Sequence, residues 1–297
     1  MTSAATGFQK AVAPPSKKKK APATKSKAPP PPKANPRLVS IPDKSGGDSL
    51  KAHYYHTKQP KGLVVLAPGS RGGMGPGQIP ASVGKFDPSI RAVYPQLAKL
   101  LNREGIACIH FTWRLNPTRK GAPPGTLKSP VQLLLGVEDI SLAARYLRAQ
   151  QGKAGEALPM VILGFSFGGP AVMAAGALAC CPDTTSLDGA PGAGLSPLHG
   201  VVTMGCGMRV SKQGSQHFKD VGDRLVGGAS RARPREYGGL DSESCVDAYA
   251  RSNLPLAMIH GLADVTVDPE ASATIFARAR GPKAALWLRD GDHHARN

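Results

Sequence analysis

Residues 160–169 of the chain read MVILGFSFGG, a run of strand-forming residues that leads directly into Gly164-Phe165-Ser166-Phe167-Gly168-Gly169. The Gly-x-Ser-x-Gly pattern is short enough to arise by chance, but here it lies where a strand pattern meets a helical pattern. A serine on such a tight turn needs glycine two residues before and after it, because side chains there would collide. The stretch therefore predicts a strand, a sharp turn that lifts the Ser166 hydroxyl above the sheet edge, and a helix.

Short apolar runs alternate with helical patterns over residues 48–297. The predicted strands are an early, half-exposed one from Leu50 to His56 and buried ones at residues 62–67, 106–113, 160–163, 200–204, 256–259 and 284–288. The predicted helices cover residues 92–103, 131–149, the stretch from the serine turn to about 179, and 269–280. Strands separated by helices indicate one α/β domain with a mostly parallel central sheet, covered by helices on both faces.

Residues 1–47 are predicted to be a disordered basic tail. Residues 1–37 contain nine of the 38 Lys and Arg residues and no acid, with many Pro and Ala. Such a segment cannot bury enough apolar surface to offset its chain entropy. The run Lys17-Lys18-Lys19-Lys20 is compatible with a nuclear address, with a weak contact to nucleic acid or another acidic surface, and with a solvated tail without a partner. Organelle targeting is a further alternative, because acids are absent.

Several classes of protein are disfavoured by the rest of the sequence. We expect no membrane span, because no apolar run approaches 18 residues, and an intracellular location, cytoplasmic or nuclear, because a secretory signal is lacking. We expect no cofactor, since the glycines of residues 72–75 have no lysine at phosphate-loop spacing, and no metal. The five cysteines lack metal-ligand spacing and are predicted to be free thiols: Cys108, Cys180, Cys181, Cys206 and Cys245.

A serine nucleophile needs a base and an acid that orients the base, and in this kind of domain the order along the chain is Ser, acid, His. Asp264 follows a predicted strand and is the candidate acid; its competitor Asp268 is better placed to cap the helix that begins at Pro269. His293 follows the last strand and is the candidate base. His294 is the alternative, because loop geometry cannot be derived from sequence.

The backbone N–H groups of Phe167 and Ser70 are the candidate oxyanion donors, since each follows the end of a buried strand. Phe165 and Phe167 flank the serine and favour an apolar acyl pocket for a small-molecule substrate.

Other residues receive structural interpretations. We interpret His110 as a core residue and His260 as support for the Asp264 turn. Arg71 and Arg114 are interpreted as surface arginines, with contact to an acidic substrate as the alternative. Residues 207–253 are predicted to be an irregular loop or a lid.

Four segments carry a family resemblance over about residues 48–297: GLVVLAPG (62–69), IHFTWR (109–114), GFSFGG (164–169) and GDH (291–293). With them the chain resembles the α/β-hydrolase superfamily. Within it the chain is similar to the dienelactone hydrolases and, more closely, to a hydrolase-like family with testis-expressed members and a non-enzymatic histone-acetyltransferase-complex subunit. We expect no counterpart of the usual terminal helix within the sequence given, since His293 is four residues from its last residue.

The resemblance implies the fold and a triad of Ser166, Asp264 and His293. Two hypotheses of function follow. The first is a serine hydrolase of an ester or similar acyl bond, acting through an acyl-enzyme. The second is a catalytically silent scaffold or binding module, with a nuclear location suggested by the tail.

Overall fold

The computed structural model describes residues 36–43, 49–69, 93–114, 131–180, 195, 197–206 and 242–294. Within these ranges, eight strands form one sheet in the order β1-β2-β4-β3-β5-β6-β7-β8. The strands are β1 (Arg37–Ile41), β2 (Leu50–Tyr55), β3 (Gly62–Ala67), β4 (Ile106–Thr112), β5 (Met160–Phe165), β6 (Gly200–Met204), β7 (Leu256–Gly261) and β8 (Lys283–Leu288). Of these, β2 runs antiparallel to its two neighbours, β1 and β4. From β4 onward in this order, all adjacent strands are parallel. The predicted sheet is confirmed.

Helices cover both faces of the sheet. The described helices are α1 (Val93–Arg103), α2 (Val131–Ala149), α3 (Gly168–Cys180), α4 (Ser242–Ser252) and α5 (Pro269–Arg278), with a short 3-10 helix at Gly152–Glu156. Alternate residues of β3 point to opposite faces, as the strand period of two requires. Val64 and Leu66 pack with Tyr94 of α1, whereas Leu63 and Val65 belong to the larger core beneath α2 and α3.

Two strands differ from the sequence prediction. β1 lies inside the segment predicted to be a disordered tail. It forms a strand there because its backbone pairs with β2 over five residue pairs and Ile41 is buried. β2, predicted to be half-exposed, is largely buried because both of its faces are covered: Ala52 and Tyr54 belong to the larger core, and Tyr55 packs in the cluster that contains Tyr94 of α1. Residues 1–35 and 44–47 of the predicted tail lie outside the described part.

α4 occupies part of the segment predicted to be irregular. Its buried residues Cys245, Val246, Ala248 and Tyr249 have helical spacing, so an amphipathic signal was present in the sequence. The Tyr249 hydroxyl donates to the Met173 carbonyl of α3 at 2.5 Å. Tertiary contact with α3 therefore stabilises a helix whose propensity is modest. Residues 207–241, the remainder of the predicted loop or lid up to α4, lie outside the described part.

The described residues contain no helix that is both long and apolar enough to span a bilayer. Nor do they contain a group of three or more His, Cys, Asp or Glu side chains arranged to hold a metal ion. The four cysteines within these ranges are free thiols, as predicted: Cys108, Cys180, Cys206 and Cys245.

Candidate active site

The turn between β5 and α3 carries Ser166 in a backbone conformation that side chains rarely adopt, with φ +52°. A Cβ atom on Gly164 would lie 2.1 Å from the carbonyl oxygen of Gly168, and one on Gly168 would lie 2.4 Å from the carbonyl oxygen of Ala67. The two glycines are therefore required for the turn to close against itself and against β3. The Ser166 N–H donates to the Met204 carbonyl at 2.9 Å and ties the turn to β6.

His293 lies between Ser166 and Asp264. Its Nε2 atom is 3.0 Å from Ser166 Oγ, and its Nδ1 atom is 2.7 Å from Asp264 Oδ2. The three residues follow β5, β7 and β8 respectively, so they meet at the carboxyl edge of the parallel strands. This arrangement makes Nε2 available to accept the Ser166 proton, provided that Nδ1 carries the hydrogen that faces Asp264.

The Asp264 carboxylate accepts four hydrogen bonds. Oδ1 accepts from the backbone N–H groups of Thr266 at 2.8 Å and Val267 at 2.9 Å. Oδ2 accepts from His293 and from His260 Nε2, the latter at 3.1 Å. Burial raises the pKa of the Asp264 carboxyl, but the hydrogen bonds from His260 and His293 outweigh burial and hold its pKa well below the ordinary value. Asp264 is therefore ionised near neutral pH.

Asp268 and His294, the alternatives to Asp264 and His293, have other contacts in the structure. Asp268 caps α5, where its carboxylate accepts from the Glu270 N–H at 3.0 Å, as predicted. The ring of His294 packs on Phe165 with centroids 5.5 Å apart, and its backbone N–H donates to Asp292. Adjacent side chains leave the chain in different directions, so His293 alone of the pair bridges Ser166 and Asp264.

Close backbone packing holds the acid-bearing turn after β7 against the histidine-bearing turn after β8. A Cβ atom on Gly261 would lie 2.0 Å from the carbonyl oxygen of Gly291. The Leu262 N–H donates to the Leu288 carbonyl at 2.8 Å, and the Ala263 N–H donates to the Gly291 carbonyl at 3.0 Å. These contacts anchor the histidine-bearing turn within the described residues.

Trp113, at the end of β4, contacts the loop that follows β3. Its indole N–H donates to the carbonyls of Pro68 at 3.2 Å and Gly69 at 3.0 Å, and its ring packs edge-on against Phe167. Sequence reasoning missed this role, although a buried indole N–H needs an acceptor, and the Pro-Gly loop offers one. Phe167 directly precedes α3, while the other predicted oxyanion donor, Ser70, lies outside the described part.

Phe165, predicted to line an acyl pocket, packs against the candidate base. Its side chain is buried, and its ring centroid lies 5.1 Å from that of His293.

Arg114 is not the surface residue that we predicted. Its side chain is 9% exposed and forms ion pairs with Asp43, Glu138 and Asp139. Burial raises the pKa of Asp139 to about 6, although Arg114 opposes that rise. The arginine is therefore buried because three carboxylates surround it, and it acts as a structural link between α2 and the loop after β1. Arg71 lies outside the described part.

Comparisons of the chain with known proteins give structural likenesses only. No family model and no curated protein matches the sequence. The structure is similar to an esterase domain from Rhodothermus marinus, with a TM-score of 0.54 and 20% identity over 89% of this chain and 91% of that one. It is similar to a dienelactone hydrolase from Anabaena variabilis, with a TM-score of 0.50 and 13% identity over 88% and 90%.

A third similar structure is an acylaminoacyl peptidase from Pyrococcus horikoshii, with a TM-score of 0.55 and 14% identity. The match covers 87% of this chain and 37% of the peptidase, so only part of that protein corresponds to this one. The chain therefore has the α/β-hydrolase fold. Since this fold serves an esterase, a lactone hydrolase and a peptidase, the bond cleaved cannot be assigned from the fold and must be argued from the site.

Proposed function

We propose that the protein is a serine hydrolase that cleaves an ester or similar acyl bond of a small molecule through an acyl-enzyme. The observation that carries the proposal is the hydrogen-bonded series Ser166 Oγ, His293 Nε2, His293 Nδ1 and Asp264 Oδ2, with separations of 3.0 and 2.7 Å. A nucleophile, its base and the group that orients the base are the parts that acyl transfer requires.

In the proposed first step, Ser166 Oγ attacks the acyl carbon while His293 Nε2 takes the hydroxyl proton. The carbonyl oxygen becomes an oxyanion, which the N–H groups of Phe167 and Ser70 are proposed to bind. The bond to the leaving alcohol then breaks, and His293 returns the proton to the alcohol oxygen. Water repeats the sequence on the acyl-enzyme, which releases the acid and regenerates Ser166. Asp264 orients His293 and stabilises its cationic form throughout.

Two further points support an enzyme over a scaffold. A scaffold needs neither the strained backbone of Ser166 nor an ionised, buried carboxylate behind a histidine. Esterase and dienelactone hydrolase structures share the fold, which is consistent with acyl-bond cleavage. The narrower resemblance to the hydrolase-like family rests on the sequence motifs alone. The intracellular location and the tail's contact with acidic surfaces stay predictions.

The test uses p-nitrophenyl acetate turnover and labelling by a fluorophosphonate, with wild type, Ser166→Ala, His293→Ala and His294→Ala. We expect turnover and labelling in wild type, neither in Ser166→Ala, and a roughly 10³- to 10⁴-fold slower rate in His293→Ala. His294→Ala is the matched control and should retain the rate within about threefold, because the His294 ring packs against Phe165 and edge-on against His293 but does not bridge Ser166 and Asp264. Equal rates in wild type and Ser166→Ala would refute the proposal.

A further inference from the structure

A second histidine, His260, contacts the carboxylate that orients His293. It lies near the end of β7, and its side chain is fully buried. Its Nε2 atom is 3.1 Å from Asp264 Oδ2 and 3.2 Å from the Val267 carbonyl oxygen. Because both neighbours are acceptors, Nε2 carries a hydrogen and donates it toward them. Asp264 Oδ2 therefore accepts from a histidine on each side.

The other side of the His260 ring is held by a different part of the fold. Its Nδ1 atom is 2.6 Å from Ser272 Oγ of α5, which also contacts the carbonyl oxygen of Cys206 after β6. With the ring hydrogen on Nε2, Nδ1 of the neutral imidazole accepts the hydroxyl hydrogen of Ser272. The indole ring of Trp287 in β8 lies nearly parallel to the imidazole, with centroids 6.5 Å apart. The ring is thus restrained by groups from two further elements, α5 and β8, and its Nε2–H stays directed at Asp264.

We propose that His260 is a positioning residue that orients the Asp264 carboxylate and sets how strongly that carboxylate holds the proton of His293. The proposal rests on the proposed hydrolase function. His260 and His293 share one oxygen of Asp264, so hydrogen bonding from His260 withdraws negative charge from the oxygen that faces His293. The cationic form of His293 is then less stabilised, and His293 remains available as a base at lower pH.

The ionisable groups that face this cluster are few among the described residues. Asp264 contacts His260 and His293, and both lie on the sheet edge that carries Ser166. Cys206, whose carbonyl binds Ser272, has a neutral thiol because burial raises its pKa to about 12. The ring of His294 also faces that of His293, edge-on with centroids 5.4 Å apart, so His294 belongs to the ionisable groups beside His293.

The experiment compares His260→Leu, which keeps the volume but removes the donor, with His260→Gln, whose amide N–H reaches the place of Nε2–H. His110→Leu is the matched control. His110 is another buried histidine of the sheet, but its ring forms a hydrogen bond with the Tyr55 hydroxyl rather than with Asp264. For each protein, kcat/KM for p-nitrophenyl acetate is measured from about pH 5 to 9, together with the thermal unfolding midpoint.

We expect His260→Leu to move the acid limb of the profile upward by about one pH unit and to lower the plateau roughly tenfold, since one charge-assisted hydrogen bond is lost. His260→Gln should restore the limb to within a few tenths of a unit of wild type. His110→Leu should lower the unfolding midpoint without moving the limb. An unmoved limb in His260→Leu, or no restoration by glutamine, would overturn the positioning role.

Two further measurements test the proposal if His260→Leu does not fold or if none of the proteins hydrolyses the ester. If His260→Leu does not fold, Ser272→Ala releases the Nδ1 side of the ring, and the limb should move in the same direction by a smaller amount; no movement contradicts the proposal. If no protein turns over the ester, the hydrolase proposal fails independently. The low-field proton resonance of the His293–Asp264 hydrogen bond then reports on positioning: it should change in His260→Leu and return in His260→Gln, and an unchanged resonance contradicts the proposal.

Discussion

His293 Nδ1 lies 2.7 Å from Asp264 Oδ2, although the two residues are 29 positions apart in the chain. The opposite oxygen of the carboxylate accepts two backbone N–H groups, so the carboxylate cannot rotate freely to follow the histidine. The acceptor at Nδ1 selects the tautomer with hydrogen on that nitrogen. The Nε2 lone pair is consequently directed at Ser166, which is the state that a general base needs.

Asp264→Asn should reduce kcat by about 10⁴-fold while the fold is kept, because an asparagine amide N–H facing Nδ1 favours the wrong tautomer of His293. Steady-state kinetics and circular dichroism test this. The matched control is Asp268→Asn, where asparagine caps α5 as well as aspartate does, so activity and stability should both be unchanged. Similar kinetics in the two variants would show that Asp264 does not orient the base.

Gly164→Ala should destabilise the protein by about 2–4 kcal/mol and abolish fluorophosphonate labelling of Ser166. The added methyl would lie 2.1 Å from the Gly168 carbonyl oxygen, so the serine turn must open. Gly200→Ala in β6 is the control, since its nearest neighbour would be 3.6 Å away, and labelling should persist. Normal labelling of a folded Gly164→Ala protein would contradict the steric account of the turn.

Trp113→Phe removes the indole N–H from the carbonyls of Pro68 and Gly69 while it keeps an aromatic ring against Phe167. Gly69 packs beside the nucleophile, because a Cβ atom on it would lie 3.4 Å from Ser166 Cβ. We expect kcat to fall about tenfold as this loop loosens, with little change in KM. Tyr55→Phe, which removes a polar hydrogen from another buried aromatic residue, should leave kcat unchanged. An equal loss in both variants would indicate a general packing effect.

His110→Leu should flatten the dependence of stability on pH between about 6.5 and 5. Burial lowers the pKa of His110 to about 3, so below 6.5 the unfolded chain binds a proton that the folded chain does not. The stability that this group contributes is present above pH 6.5 and is lost as pH falls toward 3. Urea unfolding at both pH values should show a wild-type loss that exceeds the variant's loss by about 2 kcal/mol. Parallel losses would mean that His110 is protonated in the folded state.

Much of the sheet could be predicted because a buried strand is recognised from apolar residues that are adjacent in the sequence. The buried strands at β3, β5 and β7 are runs of apolar residues, and α2 begins and ends at the predicted residues 131 and 149. β1 escaped prediction because it has only five residues and is stabilised by pairing with another strand, whereas α4 was missed although its buried residues have helical spacing. β1 pairs with β2, and α4 packs on α3.

The sequence by itself determined that a serine stands on a glycine-flanked turn, because the steric demand of that turn falls on residues two positions away. Only the tertiary structure decided which histidine contacts Ser166 and which aspartate contacts that histidine, and that His260 and Trp113 contact the same site. Those choices depend on how the turns after β7 and β8 pack at Gly261 and Gly291. The orientation of a side chain across two such turns is set by contacts between distant segments, which no local pattern records.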